Sequence, residues 1–207
     1  MMSSYERLKK MLKVIFFDYN GTCTDLRGLD RSWVKTLYTK HYEGDDFISM
    51  QYIIPYPAYY GLIQAKPWPD YKAIAGLIQK RVCLTNNSLY MMNSCHYENP
   101  FSSVFSSDDA RCYKPNPKFY QEAMAAYRVK PEECMLVAAH TFDLKAAKQE
   151  GMQTCFITRE GEDLKPERRI VLDGFMLPHD YIDVFFDNFY RLGIYLFEQS
   201  SIIKGEI

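Results

Sequence analysis

Four consecutive apolar residues, Val14-Ile15-Phe16-Phe17, run directly into Asp18-Tyr19-Asn20-Gly21-Thr22. A run this short, this apolar and this rich in β-formers predicts a buried strand. Gly21 allows the backbone to turn sharply straight after it. A strand that delivers an acidic side chain to its own C-terminal edge places it where α/β sheets bind ligands. Asp18 is therefore a candidate nucleophile, because a carboxylate can attack a substrate and form a covalent ester or acyl-phosphate. The plainer alternative is that Asp18 only opens a turn.

The rest of the chain alternates short apolar runs with amphipathic stretches, the pattern of a parallel sheet with helices on both faces. Strands are predicted at 13–17, 81–84, 103–106, 134–138, 153–157 and 182–186. Asn116-Pro117 supplies an N-cap and a first-turn proline for a helix whose buried face carries Phe119, Ala123 and Tyr127. Residues 141–150 read as a helix stopped by Gly151, and a last helix is expected from about 188 to 198. Pro69 starts another, with Tyr71, Ile74, Ala75 and Ile78 on one side.

Residues 26–66 break this alternation and are rich in tyrosine. Asp30 is expected to cap a helix carrying Trp33, Leu37 and His41, and Pro55 and Pro57 to break the next helical stretch. An insertion placed just after a nucleophile-bearing strand lies over the sheet edge and is a natural lid. The alternative is an extra packing layer without substrate contact.

The 207 residues fit one domain with a small insertion, and 47% hydrophobic residues can fill a substantial core. A formal net charge of −1 leaves no basic field for nucleic acid or an anionic membrane. The 6 cysteines show no Cys-x-x-Cys or zinc-finger spacing, so buried free thiols in a reducing compartment are expected. The apolar run after the charged N-terminal residues is too short for a signal peptide, and no segment is long and uncharged enough to span a bilayer. A cytoplasmic location is the resulting expectation.

Three further elements carry chemistry. Strand 81–84 ends at Thr85-Asn86, a hydroxyl and an amide able to bind an oxyanion or orient a substrate. Lys114 stands before Pro115 and Pro117 in a rigid loop entering a helix, where its ammonium can hold Asp18 ionised. Asp143 follows the apolar strand 134–138 and opens a helix, where it can orient Lys114 or act as a base towards water.

In their order and placement these four elements resemble the haloacid dehalogenase superfamily, and within it the type II 2-haloacid dehalogenase branch most. The first motif of that branch reads Asp-x-Tyr-Gly-Thr, and its Pro-x-Pro-Asp is similar to Pro67-Trp68-Pro69-Asp70. Lys114-Pro-Asn-Pro-Lys-Phe-Tyr120 looks like its third motif and Ala138-Ala139-His140-Thr141-Phe142-Asp143 like its fourth. The resemblance covers roughly residues 13–160 and implies a Rossmann-like α/β core; the domain division expected is a core of residues 1–25 and 67–207 with 26–66 as a reduced cap. The resemblance implies Asp18 as nucleophile, Thr22 positioning it, Lys114 paired with it, and Asp143 helping water attack the ester. Asn20, Thr85, Asn86 and Tyr120 would form the substrate-binding side.

Two departures bear on the substrate. Superfamily phosphatases carry a second Asp where Asn20 stands, and usually an acidic residue where Ala139 stands. An amide exchanges no proton near neutral pH, so a phosphatase's general acid is missing. The dehalogenase branch has Tyr at the Asn20 position and an arginine in a larger lid, whereas residues 32–66 contain none and Arg27 and Arg31 stand only at the insertion's start. The expectation is a metal-independent, dehalogenase-type hydrolase with no cofactor, acting on a small molecule. A Mg²⁺-dependent phosphatase with an altered first motif and a non-catalytic binding module are the alternatives.

Overall fold

The computed structural model describes residues 12–34, 42–162 and 180–204. β1 (Val14–Phe17) lies at the centre of a six-stranded sheet with β2 (Lys80–Thr85), β3 (Ser103–Ser106), β4 (Cys134–Ala138), β5 (Gln153–Ile157) and β6 (Val184–Phe186). The order is β3-β2-β1-β4-β5-β6 and every pairing is parallel. This is the Rossmann-like α/β arrangement, and its strand order reverses between β1 and β4. Every predicted strand is present, with ends differing by up to two residues.

Both faces of the sheet are covered, which is why β1 is apolar without alternation. Val14 and Phe16 pack on one face with Phe119 and Ala123 of α4 (Pro117–Ala126) and Leu144 and Ala147 of α5 (Thr141–Gln149). Ile15 and Phe17 pack on the other with Phe189, Leu192 and Leu196 of α6 (Phe189–Lys204). Phe16 and Phe17 are fully buried, and each such side chain contributes about 1.5–3 kcal/mol through removal from water. Asn116 caps α4 by accepting from Lys118 N at 3.0 Å, as its sequence position requires. The six cysteines are free thiols. Among the described residues no helix is long and apolar enough to cross a membrane.

Two expectations need correction. Residues Tyr71–Gly76 form a 3-10 turn rather than an α-helix. Tyr71, Ile74 and Leu77 are buried while Ala75 and Ile78 are exposed. Burial thus recurs every three residues, the period of the tighter helix. Pro55 and Pro57 do not break a helix: they begin α1 (Tyr56–Gln64), with Pro55 at the cap, where a missing N–H is tolerated.

The β1–β2 connection holds its own apolar cluster, in which Leu26, Met50, Ile54, Leu62 and Ile63 pack on Met91 of α2 (Leu89–Asn93) and on Tyr113. It is tied to the rest of the molecule by polar bonds. Tyr113 Oη donates to Ile48 O at 2.6 Å and Arg111 Nη2 to Gly44 O at 2.8 Å. Asp30 forms a local turn, accepting from Ser32 N at 2.9 Å, and Trp33 Nε1 donates to Asp30 O. The expected helix positions Leu37 and His41 lie outside the described residues.

Candidate active site

Asp18 sits one residue beyond β1, where its N–H donates to Val137 O of β4 at 3.0 Å and continues the β1–β4 ladder. Its carboxylate therefore emerges at the point where the strand order reverses. Gly21 follows at φ +78°. A Cβ there would lie 2.6 Å from Glu162 Cδ, so glycine serves both the turn and the close approach of that side chain. Thr22 Oγ1 donates to Asp18 Oδ2 at 2.7 Å and accepts from Ala139 N at 2.8 Å, fixing the turn to the end of β4.

Lys114 Nζ lies between two carboxylates, 2.7 Å from Asp18 Oδ1 and 2.5 Å from Asp143 Oδ2. It is 2% exposed. It comes from the loop entering α4, not from a strand end, so only three of the four sequence elements sit at strand edges. Tyr120 Oη donates to Asp143 Oδ1 at 2.5 Å from the same α4. Asn86 lines the cleft, but its amide clamps the Lys114 backbone, accepting from Lys114 N at 2.7 Å and donating to Lys114 O at 3.2 Å. Asn20 also lines the cleft, with its amide in a two-way pair with buried Asn87 at 2.7 and 3.2 Å. Thr85 is buried, and its hydroxyl accepts from Asn87 N at 3.0 Å.

Two residues without a role in the sequence reading complete the cluster. His140 Nδ1 is 2.8 Å from Asp18 Oδ2, and His140 Nε2 is 3.1 Å from Glu162 Oε2. Glu162 also accepts both arms of the Arg31 guanidinium, at 2.6 and 2.6 Å. Both were findable by one rule. His140 is two residues past the end of β4 and Glu162 five past the end of β5, so each stands at the same sheet edge as Asp18.

Burial works against each of these charges and the partners decide the outcome. Burial raises the Asp18 pKa, but the Lys114 charge and the His140 bond outweigh it and hold the carboxyl well below its usual range. For Asp143, burial leads, and with the Asp18 charge it outweighs Lys114 and shifts the pKa up. Burial also opposes the Lys114 charge, yet Asp143 and Asp18 together raise its pKa. His140 is pushed up to about 10 because Asp18 and Glu162 outweigh its desolvation. At neutral pH it is an imidazolium donating to both carboxylates. Glu162 is shifted down: His140 and Arg31 outweigh its burial.

Phosphatases of the superfamily that the sequence resembles use Mg²⁺, and the donor set here does not fit that ion. Each oxygen of Asp18 and of Asp143 already accepts from a side chain, and an ammonium stands between the two carboxylates. Asn20 is held by Asn87, and Ala139 offers no side-chain donor. Mg²⁺ requires oxygen ligands in near-octahedral array.

The cluster opens into a cleft of about 560 Å³, lined by Asp18, Asn20, Asn86, Lys114 and His140 on the sheet side and by residues of the β1–β2 connection on the other. The model of the haloacid dehalogenase-like hydrolase family matches residues 84–157. The chain is 28% identical over 107 residues to haloacetate dehalogenase H-2 of Moraxella sp. (strain B), an alignment covering 48% of each chain. It is 39% identical over 59 residues to (S)-2-haloacid dehalogenase 4A of Burkholderia cepacia, covering 28% of this chain and 26% of the relative. The alignments thus span about half or less of these curated relatives. In fold, it matches the L-2-haloacid dehalogenase of Xanthobacter autotrophicus with chloropropionic acid covalently bound, at a TM-score of 0.66 and 19% identity, over 90% of this chain and 98% of that one. The family match falls on the stretch that carries Lys114, His140 and Asp143, and over that stretch the chain is similar to haloacid dehalogenase-like hydrolases.

Proposed function

We propose that the protein is a hydrolase that displaces a leaving group from carbon with Asp18, without a metal ion, and then hydrolyses the resulting ester. The observation that carries this reading is the Asp18 carboxylate itself. It lines an apolar-walled cleft, is held ionised by Lys114 and His140, and is fixed by Thr22. In the first step an Asp18 oxygen attacks the substrate carbon in line with the leaving group. The C–O bond forms as the carbon–halogen bond breaks, and halide departs with the bonding pair.

In the second step water adds to the Asp18 carboxyl carbon. The bond from that carbon to the substrate oxygen breaks, the alcohol takes a proton, and Asp18 is restored. The Asp18 oxygen that attacked therefore leaves as the product hydroxyl, the water oxygen stays in the Asp18 carboxylate, and the net proton goes to solvent. Asp143 is the carboxylate suited to assist the water, because its raised pKa makes it the better proton acceptor of the two. Lys114 stabilises the oxyanion that develops on Asp18. The described residues of the β1–β2 connection that line the outer side of the cleft, among them Leu29, Trp33, Met50 and Leu62, act as the lid that excludes bulk water. The haloacid dehalogenases among the relatives support this reaction class.

The test is a single turnover in ¹⁸O-water with a panel of organic halides, followed by mass analysis of the Asp18 peptide. Label in Asp18 is the expected result. Halide release with label only in the product and none in Asp18 would rule out the covalent route.

A further inference from the structure

Among the described residues the cleft holds three cations, Arg31, Lys114 and His140, and each is already bonded to carboxylates of the chain. Lys114 is shared by Asp18 and Asp143, and His140 by Asp18 and Glu162. Arg31 places both arms of its fork on Glu162, a side chain only 1% exposed. The Glu162 carboxylate thus occupies the bidentate position that an incoming carboxylate would need. Asp30 adds a third carboxylate to the wall beside Asp18 and Glu162, while Asp143 lies behind Lys114 and outside the lining. Among the described residues, then, no cation that lines the cleft is without a carboxylate, and three acids face three bases there.

The remaining wall is apolar, with Leu26, Leu29, Trp33, Met50, Leu62 and Phe142 facing the space. Its volume far exceeds what a two-carbon acid would fill. A buried anion without a free cationic partner is strongly disfavoured, whereas an apolar body gains by transfer from water.

We propose that the substrate of this site is an uncharged organic halide with an apolar body, such as the amide or ester of a haloacid, and not the free acid. The proposal rests on the Asp18-nucleophile reading for its leaving group, but its charge selection can be measured apart from that chemistry. Glu162 is the specificity-determining residue: its carboxylate fills the Arg31 fork and turns anions away.

Hexanamide and hexanoate are matched in size, and neither carries a leaving group. Titration calorimetry of the natural chain should find the amide bound at least roughly tenfold more tightly. Glu162→Gln frees the Arg31 fork and should narrow that gap by about tenfold, through tighter hexanoate binding. Hexanoate bound as tightly as the amide, no detectable binding of either, or a gap that Glu162→Gln leaves unchanged would overturn the proposal. If Glu162→Gln does not fold, the comparison in the natural chain decides alone. Failure of the nucleophile reading shows separately, as absence of bromide release from both 2-bromohexanamide and 2-bromohexanoate.

Discussion

Two buried carboxylates, Asp18 and Asp70, are each paired with a buried cation, yet their surroundings differ. Arg159 Nη1 lies 3.1 Å from Asp70 and the Phe189 N–H donates to it at 2.7 Å. Arg159 is covered by the rings of Trp68 and Phe189, at 5.3 and 4.5 Å. That cluster is sealed: its bonds join the start of α6 to the end of the β1–β2 connection. The Asp18 cluster has more charges and is open to a cleft on one side. A sealed ion pair fixes chain segments, whereas an open one of the same chemistry has room for a reactant. Burial alone does not separate the two cases, but access does.

The comparison breaks first at activity. Asp18→Asn should lower turnover by about 10³-fold or more, because an amide is a far poorer nucleophile than a carboxylate. Its stability should stay within about 1 kcal/mol of the natural chain, since Lys114 keeps Asp143 and His140 keeps Glu162. Halide release and urea denaturation of one preparation measure both. Turnover retained in Asp18→Asn would leave the open cluster as structural as the sealed one.

Asp70→Ala should do the reverse. It leaves the Arg159 guanidinium buried without its carboxylate and the Phe189 N–H without its acceptor. Breaking such a pair costs about 3–5 kcal/mol. Turnover per folded molecule should change by less than about threefold. A stable Asp70→Ala protein would show that the sealed pair contributes little beyond what packing supplies.

These two clusters were unequally legible in the sequence. Asp18, Thr22 and Asp143 announce themselves because a buried parallel strand is a continuous apolar run, and the polar segment that follows it marks the sheet edge, whereas Lys114 is marked by Pro115 and Pro117 in the loop that enters α4. The strands were legible for the same reason. Asp70 shows no such signal, because its partners lie 89 and 119 residues away in the chain. His140 stands in the segment after β4, but its role depends on Asp18, 122 residues earlier, and on Glu162, 22 residues later. The 26–66 connection was least legible. Its apolar residues follow no single period, and they pack against Met91 and Tyr113, which no local pattern anticipates. Thr85 and Asn86 were assigned to the substrate by residue type, whereas their side chains bond Asn87 N and the Lys114 backbone.

The open cluster should also titrate. The His140 pKa rises from 6.5 to about 10 on folding. A raised pKa means that the folded state binds the proton more tightly than the unfolded chain does. The associated stability is fully present below the unfolded value and is lost as pH rises through about 10. Within that window stability should fall by up to about 1.4 kcal/mol per pH unit. His140→Gln should flatten the slope while keeping the fold, as urea denaturation at stepped pH would record. An unchanged slope in the variant would assign the titration to another group.

The smallest effect concerns the seam where the two clusters meet. Arg159 Nε donates to Thr22 O at 2.9 Å, and Trp68 Nε1 donates to Gly21 O at 3.0 Å. The sealed cluster therefore holds the backbone of the turn that aims Asp18, and Thr22 passes that constraint to the carboxylate through its 2.7 Å bond. Trp68→Phe keeps an aromatic face over Arg159 but deletes the indole donor, leaving a backbone carbonyl in a partly buried place. Loss of one such bond costs about 0.5–1.5 kcal/mol. Because Arg159 still holds Thr22 O, the turn should keep its course, and turnover should fall by no more than about threefold. Thermal melts and steady-state halide release would compare the two. A stability loss with turnover nearly intact means that the sealed cluster supports the open one without tuning it. A tenfold loss of turnover at unchanged stability would mean that the indole bond sets the position of the nucleophile, and the two clusters would have to be treated as one unit.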